Sequence, residues 1–574
     1  MPFTPATAEQ RFVLTHITRI EELAASERFA AASDDVVDAV LEGVGQLAAG
    51  EWAPLARTGD TVGAKWTPDG VVMPDGFVAA YHDYVEGGWG TIGVPEEFGG
   101  QGLPFAIQTA VLDTLGSANM GFALAPTLTV GAIEALAHHG SPEQQALYLP
   151  HLATGAWTGT MNLTEPQAGS DVGALRAQAR PLGDGKWSIK GTKIYISFGD
   201  HDMAPNIVHL VLARTPGAPA GTKGISLFLV PKFRLNADGT PGDPNDVRVV
   251  SIEHKMGLHA SPTCVLSFGD HDDCVGELIG PEYGGIRAMF TMMNNARLNV
   301  GLQGVQVAEG ATQAAVAYAL DRVQSPRAGS ASRDSVKIVE HPDVRRMLMR
   351  MKAQTQAARA LVYLAAAQVD RATLGEAGAH NRLEILTPLA KAHGTDIGCE
   401  VSSIGIQVFG GMGYIEETGA AQFFRDARIT PIYEGTNGIQ AADLVGRKLG
   451  LDNGGAFAAL IADMRAEAQD RTLVTLIDTC DEIGRAMMAL DADDKLAGSY
   501  PFLTMLSVAV CGWLMERQGR IVAELGEASD FLAMKTATTK FYIDQIVPEA
   551  LGLKAAAMAR ADVLYSIAAD VFAA

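Results

Sequence analysis

Glu434 is the residue around which a reaction could be built. It lies in the stretch from Gln422 to Lys448, QFFRDARITPIYEGTNGIQAADLVGRK, between an apolar run closed by Pro431 and the turn Gly435-Thr436-Asn437-Gly438. A carboxylate held between apolar sequence and a helix start loses part of its hydration, and its pKa rises toward that of a usable base. Gly435 and Gly438 allow sharp turns and close backbone approach to a ligand. Thr436 or Asn437 can cap the helix that begins near Ile439. Taken alone, the same residues also read as an ordinary loop with an exposed Glu, so the decision rests on what else the chain carries.

A scaffold that keeps such a group dry is within reach of this composition. At 574 residues the length points to three or four domains with ample apolar sequence for their cores. Hydrophobic residues make up 48% and charged residues 19%, the balance of a globular chain and not of a disordered one. The formal net charge of -22, with no Lys/Arg block, argues against nucleic acid and anionic membranes as partners. Cys264, Cys274, Cys399, Cys480 and Cys511 form no C-x-x-C and no even framework, as expected in a reducing cytosol. The start MPFTPATAEQRFVLTHI lacks the basic region and apolar core of a signal peptide, and no apolar run of about 18 residues stands out. The expectation is a cytoplasmic protein without a membrane span.

Periodicity divides the chain. Residues 1–157 read as helical: Asp34 to Ala49 repeats apolar residues at helical spacing behind Ser33 and before Gly50, and Leu103 to Leu115 and Leu128 to His138 continue the pattern. Ser141-Pro142-Glu143 reads as the next cap and first turn. Gly88-Trp89-Gly90-Thr91-Ile92-Gly93 matches a dinucleotide fingerprint formally, but it runs into Val94-Pro95 where a phosphate-binding helix would start, so it reads as a connector. Residues 158–280 alternate in short strands separated by turns, as in an antiparallel barrel or sandwich. His254, His259, Cys264, His271 and Cys274 within them match no common zinc spacing, and the cysteines read as small core residues. Residues 281–451 return to long helices, Ile286 to about Gln324, His341 to Leu374 and Leu383 to about Phe409. After the Asp452-Asn453-Gly454-Gly455 break, residues 456–574 form an additional helical unit whose methionines read as core. The fold class is mainly α with a middle β-domain.

Four stretches at separated positions carry groups suited to a cofactor. Met161-Asn162-Leu163-Thr164-Glu165-Pro166-Gln167-Ala168-Gly169-Ser170-Asp171 is a strand followed by a turn that offers backbone N–H groups and a hydroxyl to an anion. Lys193-Ile194-Tyr195-Ile196-Ser197 offers an aromatic ring and a hydroxyl. Arg322-Val323-Gln324, with Arg297 upstream, offers a planar fork that pairs with phosphate. Gln407-Val408-Phe409-Gly410-Gly411-Met412-Gly413-Tyr414 offers glycines that admit close approach. With I-Y-E-G-T at the end of the bundle, this order resembles the acyl-CoA dehydrogenase superfamily over roughly residues 60 to 450. The extra C-terminal unit resembles the long branch that includes 3-methylmercaptopropionyl-CoA dehydrogenases.

The resemblance implies FAD as cofactor, an acyl-CoA thioester as substrate, a role in fatty acid metabolism and Glu434 as the α-proton abstracting base. It puts Met161, Leu163, Thr164, Tyr195 and Ser197 beside the flavin ring, and Gly169, Ser170, Arg322, Gln324, Gln407, Gly410, Gly411, Thr436 and Asn437 beside the pyrophosphate and the rest of the dinucleotide. Ser170, Arg297, Tyr433 and Gly435 would contact substrate, and Met161, Met292 and Met293 could re-pack around several acyl groups. Some relatives carry the base just before the arginine, where this chain reads Asn294-Asn295-Ala296-Arg297 with no carboxylate. Tyr195 and Ser197 stand where many relatives have Trp and Thr, and Ser325-Pro326 begins a longer loop than theirs. The resemblance further implies a homodimer and an electron-transfer flavoprotein as acceptor. An acyl-CoA oxidase passing electrons to oxygen shares these motifs, and a DNA-associated relative would need a basic region that this acidic chain lacks.

Overall fold

The computed structural model describes residues 3–574, apart from the side chains of residues 290–294. The chain forms two compact units, one of residues 3–41 and 297–574, the other of residues 42–296.

In the unit of residues 42–296, a small hairpin of β1 (Lys65–Thr67) and β2 (Gly70–Val72) and the helix α1 (Phe77–Glu86) precede the glycine-rich connector. The hairpin departs from the helical reading of residues 1–157. The two helices expected between Leu103 and His138 are one, α2 (Phe105–His139), kinked at Asn119. Asn119 explains the kink: its Oδ1 accepts from Phe122 N at 3.2 Å in place of a helix carbonyl, and its Nδ2 donates to Trp52 O at 3.3 Å, tying the kink to a neighbouring element. An 18-residue window of α2 has a mean hydropathy of 1.5, long and apolar enough to span a membrane by length and composition, which corrects the expectation that no such run exists. In this fold 78% of that window is buried inside the protein. The next helix, α3 (Pro142–Thr154), starts with the expected cap, Ser141 Oγ accepting from Gln144 N at 3.2 Å.

Eight strands form one sheet: β3 (Thr158–Asn162), β4 (Gln178–Gly183), β5 (Lys186–Ser197), β6 (Ile207–Ala213), β7 (Ser226–Pro231), β10 (Val247–Ile252), β11 (Thr263–Phe268) and β12 (Val275–Ile279). β8 (Phe233–Leu235) and β9 (Pro241–Pro244) form a separate hairpin. The sheet is antiparallel except that β3 pairs with β6 in parallel. Period-two sequence cannot distinguish the two directions, because side chains alternate in both. Both faces are covered. Leu210 and Leu212 of β6 with Leu227 and Leu229 of β7 join Ile133, Leu136 and Leu149 in one core, while Val211, Ala213, Phe228 and Val230 face the other with Ile189 and Leu266. Cys264 and Cys274 are buried in that second core, as their sequence context predicts.

In the other unit the long helices are α4 (Gly285–Asp321, of which residues 297–321 belong here), α5 (Pro342–Thr373) and α6 (Ala379–Phe409). They agree with the expected spans to within a few residues. α4 and α6 touch backbone to backbone along glycines. A Cβ added to Gly304 would lie 1.9 Å from Gly394 O, and one added to Gly301 would lie 2.5 Å from Ala390 O. Beyond α6 follow α7 (Ala420–Ala427), α8 (Asn437–Gly446), α9 (Arg471–Met488), α10 (Ser499–Leu525) and α11 (Asp530–Phe541). The two ends of the chain meet in this unit. Lys535 Nζ, buried on α11, donates to Glu9 Oε1 at 2.8 Å, and Gln356 Nε2 donates to Glu9 Oε2 at 3.1 Å.

Candidate active site

The stretch from Ala427 to Asn437 is a chain of tight turns. Thr430 N donates to Ala427 O (3.0 Å), Ile432 N to Ile429 O (2.9 Å) and Asn437 N to Pro431 O (3.0 Å). Glu434 has φ +55°, a left-handed conformation uncommon outside glycine, and Gly435 follows at +84°. Backbone strain of this kind costs on the order of 1–3 kcal/mol and persists only where the surroundings enforce it. The surroundings are visible. Tyr433 Oη donates to Gln303 Oε1 on α4. Gln440 Nε2 donates to Gly435 O at 3.3 Å, and a Cβ on Gly435 would lie 2.8 Å from that nitrogen and 4.0 Å from Arg297 Nη2. Only glycine fits there.

Glu434 makes no ion pair or hydrogen bond to another described residue, through either its carboxylate or its amide. Burial raises the pKa of its carboxyl, opposed by the charges of Arg297 and Lys391. Arg297 is itself buried, its Nη1 3.7 Å from Asp443 Oδ2, and its Nε is buried without a partner among the described residues. Burial lowers its pKa, with Asp443 and then Glu434 acting against that shift. Sequence reasoning had missed Lys391, which is fully buried on α6. Its Nζ donates to Thr430 O and to Asn437 Oδ1, both at 2.9 Å, and burial pushes its pKa down to about 8. The available signal was one lysine inside the apolar run Leu383 to Phe409, where an unneeded charge would be costly.

Thr436 caps α8, its Oγ1 accepting from Ile439 N at 3.2 Å. Asn437 departs from expectation. Its side chain is buried and committed to Lys391, Thr395, Asp396 and the Ala392 carbonyl, so it has no donor left for a cofactor. It positions the loop instead. Arg322 and Gln324 lie exposed beyond the end of α4, and Arg322 Nη2 donates to Gln324 Oε1 at 3.3 Å. Gln407, Gly410 and Gly411 lie exposed at the end of α6, with open space where a Cβ on either glycine would be. Tyr318 of α4 stacks on Phe409 of α6 at 4.2 Å, which brings these two helix ends together.

In the unit of residues 42–296, β3 ends the sheet, so one of its edges has no strand partner among the described residues. Met161 is buried at that edge, and Leu163 and Thr164 are half-buried beyond it. Ile194 N donates to Thr164 O at 2.9 Å. β5 bulges opposite Cys264 and Leu266, and Tyr195 takes φ +61° with 61% of its surface exposed. The bulge turns an aromatic ring out of the sheet. The half-buried Ser197 follows, and Gly169 and Ser170 are exposed. Two further residues hold this strand and turn. Lys193 Nζ, buried, donates to Glu165 Oε1 at 2.8 Å and to Leu163 O at 3.1 Å, and Glu165 also accepts from Arg176 N and Ala177 N.

The neighbourhood of Asn295, read as free of carboxylates, receives one from α2. Asn295 Nδ2 donates to Glu134 Oε2, and burial pushes the Glu134 carboxyl up to about 7. The side chains of Met292, Met293 and Asn294 lie outside the described residues.

Sequence comparison matches four family models along the chain. They are the acyl-CoA dehydrogenase N-terminal domain over residues 37–156, the middle domain over 160–271, the C-terminal domain over 283–449, and an acetyl-CoA dehydrogenase C-terminal-like segment over 452–568. The chain is 42% identical to the 3-methylmercaptopropionyl-CoA dehydrogenase of Ruegeria pomeroyi, covering 96% of this chain and 97% of that protein. It is 37% identical to a butyryl-CoA dehydrogenase of Syntrophomonas wolfei, covering 90% of each. Among solved structures, an acyl-CoA dehydrogenase from Bacillus anthracis complexed with FAD matches with a TM-score of 0.73 at 22% identity, over 93% of this chain and 90% of that one, a likeness of fold.

Proposed function

Since the chain belongs to the acyl-CoA dehydrogenase family, FAD-dependent oxidoreductases acting on acyl-CoA, we propose that it converts an acyl-CoA thioester to the trans-2-enoyl-CoA with Glu434 as base. One observation carries the assignment: a carboxyl group raised by burial, without a direct partner among the described residues, held in a strained turn beside two cations that keep it ionisable.

The donor set fits FAD. The free edge of β3 and the hydroxyls of Thr164 and Ser197 suit the polar rim of an isoalloxazine, and the outturned Tyr195 suits its apolar face. Gly169 and Ser170, together with Arg322, Gln324, Gln407, Gly410, Gly411 and Thr436, would serve the pyrophosphate and adenosine. FAD, when bound, supplies the two-electron oxidant that takes up the β-hydrogen as hydride. This chain's own residues handle the α-proton. Glu434 accepts it, and its amide, unpaired among the described residues, can donate to the thioester oxygen as negative charge grows there, a contribution of roughly 3–4 kcal/mol per well-placed donor. Tyr433 and Gly435 flank the substrate. Arg297 keeps positive charge near the base, so that burial does not leave it permanently protonated.

The relatives' names support a short acyl group, with a thioether-bearing propionyl among the candidates. We further propose a cytoplasmic homodimer that passes electrons to an electron-transfer flavoprotein, built from segments 1–157, 158–280, 281–451 and 456–574. Anaerobic mixing of Glu434→Gln with a panel of acyl-CoAs tests the base. The variant should purify yellow and fail to bleach. Full-rate flavin reduction would end the assignment, and loss of reduction in Glu134→Gln alone would move the role to Glu134.

A further inference from the structure

We propose that Tyr500, in the C-terminal segment, is a positioning residue for the base, ending a hydrogen-bonded chain Tyr500–Asp396–Asn437–Lys391 that holds the loop of Glu434. The inference rests on the reading of Glu434 as base. Tyr500 Oη, on α10, donates to Asp396 Oδ2 at 2.7 Å. Asp396 Oδ1 accepts from Asn437 Nδ2 at 2.8 Å, and Asn437 Oδ1 accepts from Lys391 Nζ at 2.9 Å. That ammonium also binds Thr430 O, so one cation ties the residues on both sides of Pro431 to Thr436. Every other group named for the site lies before residue 452, whereas Tyr500 lies in the segment matched separately over 452–568. The additional helical unit thereby contributes to the catalytic loop directly.

The chain also transmits charge. Glu434 faces Arg297 and Lys391, and Tyr433 lies beside it. Lys391 faces Asp396, Glu434 and Arg297. Asp396 faces Tyr500, Asn437, Lys391 and Arg428, and Tyr500 faces Asp396, Asn437 and Cys399. The Tyr500 hydroxyl favours ionised Asp396, ionised Asp396 favours protonated Lys391, and protonated Lys391 favours ionised Glu434. Removing the hydroxyl therefore raises the pKa of the base.

The test compares parent holoenzyme with Tyr500→Phe, Lys391→Met and Glu434→Gln. It reads anaerobic flavin reduction against pH and amide hydrogen exchange of residues 430–437. In Tyr500→Phe the acid limb should move up by roughly half a pH unit, about a threefold loss of rate below the midpoint. Exchange at 430–437 should quicken, with bound FAD retained. Lys391→Met should move the limb further in the same direction. A merely structural tyrosine would lower the rate equally at every pH. An unmoved limb together with unchanged exchange in Tyr500→Phe, while Glu434→Gln is inert, overturns the relay alone. Full flavin reduction in Glu434→Gln overturns the base reading and this inference with it. Should Lys391→Met fail to fold, the half-exposed Tyr500→Phe substitution still decides.

Discussion

At the scale of single residues, the groups that could react are held by groups that could not. Lys193 and Glu165 form an ion pair away from water, and the same carboxylate gathers two backbone amides from the next turn. Glu165→Gln would leave a buried ammonium without its counter-charge, a loss of about 3–5 kcal/mol. Chemical denaturation should show that loss, and the variant should release FAD more readily because the turn from Glu165 to Asp171 is no longer pinned. Glu434 stood out in the sequence only beside the other motifs, because an acid between an apolar run and two glycines, taken alone, reads equally as an exposed loop residue. Lys193 and Glu165 lay in quoted motifs without a role, since sequence does not show which charges of a strand and a turn meet. Asn437 was placed beside the cofactor by the resemblance alone, since nothing in the sequence shows that its side chain faces an interior lysine.

Among the elements, legibility followed amphipathicity. The helix Asp34–Leu47 announces itself through apolar residues on one face, and its span was read within two residues. α2 is buried on nearly every side, so its sequence has no polar face to mark its course, and its middle was lost. The parallel pairing of β3 with β6 was illegible because direction is set by chain path and not by side-chain alternation. The contact of α4 with α6 governs the site, because Arg297 and Gln303 reach the loop from one helix and Lys391 from the other. Gly304→Ala would place a methyl group inside van der Waals contact with the Gly394 carbonyl and force the helices apart. Overpacking of this kind costs about 1–3 kcal/mol. The variant should melt at a lower temperature and show a slower flavin reduction than its remaining fold would explain.

Across the whole molecule, the proposed homodimer needs an uncovered surface where a second copy would sit. Beside the stacked Tyr318 and Phe409, the end of α6 leaves Tyr414 88% exposed, with Met412, Ile415, Leu320 and Val323 about half exposed. If the proposed homodimer forms through this surface, Tyr414→Glu should shift it to monomer in light scattering and deplete it of FAD. A variant that stays dimeric would exclude this surface. The buried pair of Glu9 and Lys535 bears on how the chain is made. The two residues are 526 positions apart. A ribosome adding about 5–20 residues per second needs roughly half a minute to nearly two minutes to cover that distance. During that interval the Glu9 carboxylate can meet Gln356 of α5 but not its counter-charge. Trimming the last hundred residues would thus strand the beginning of the protein as well as its end.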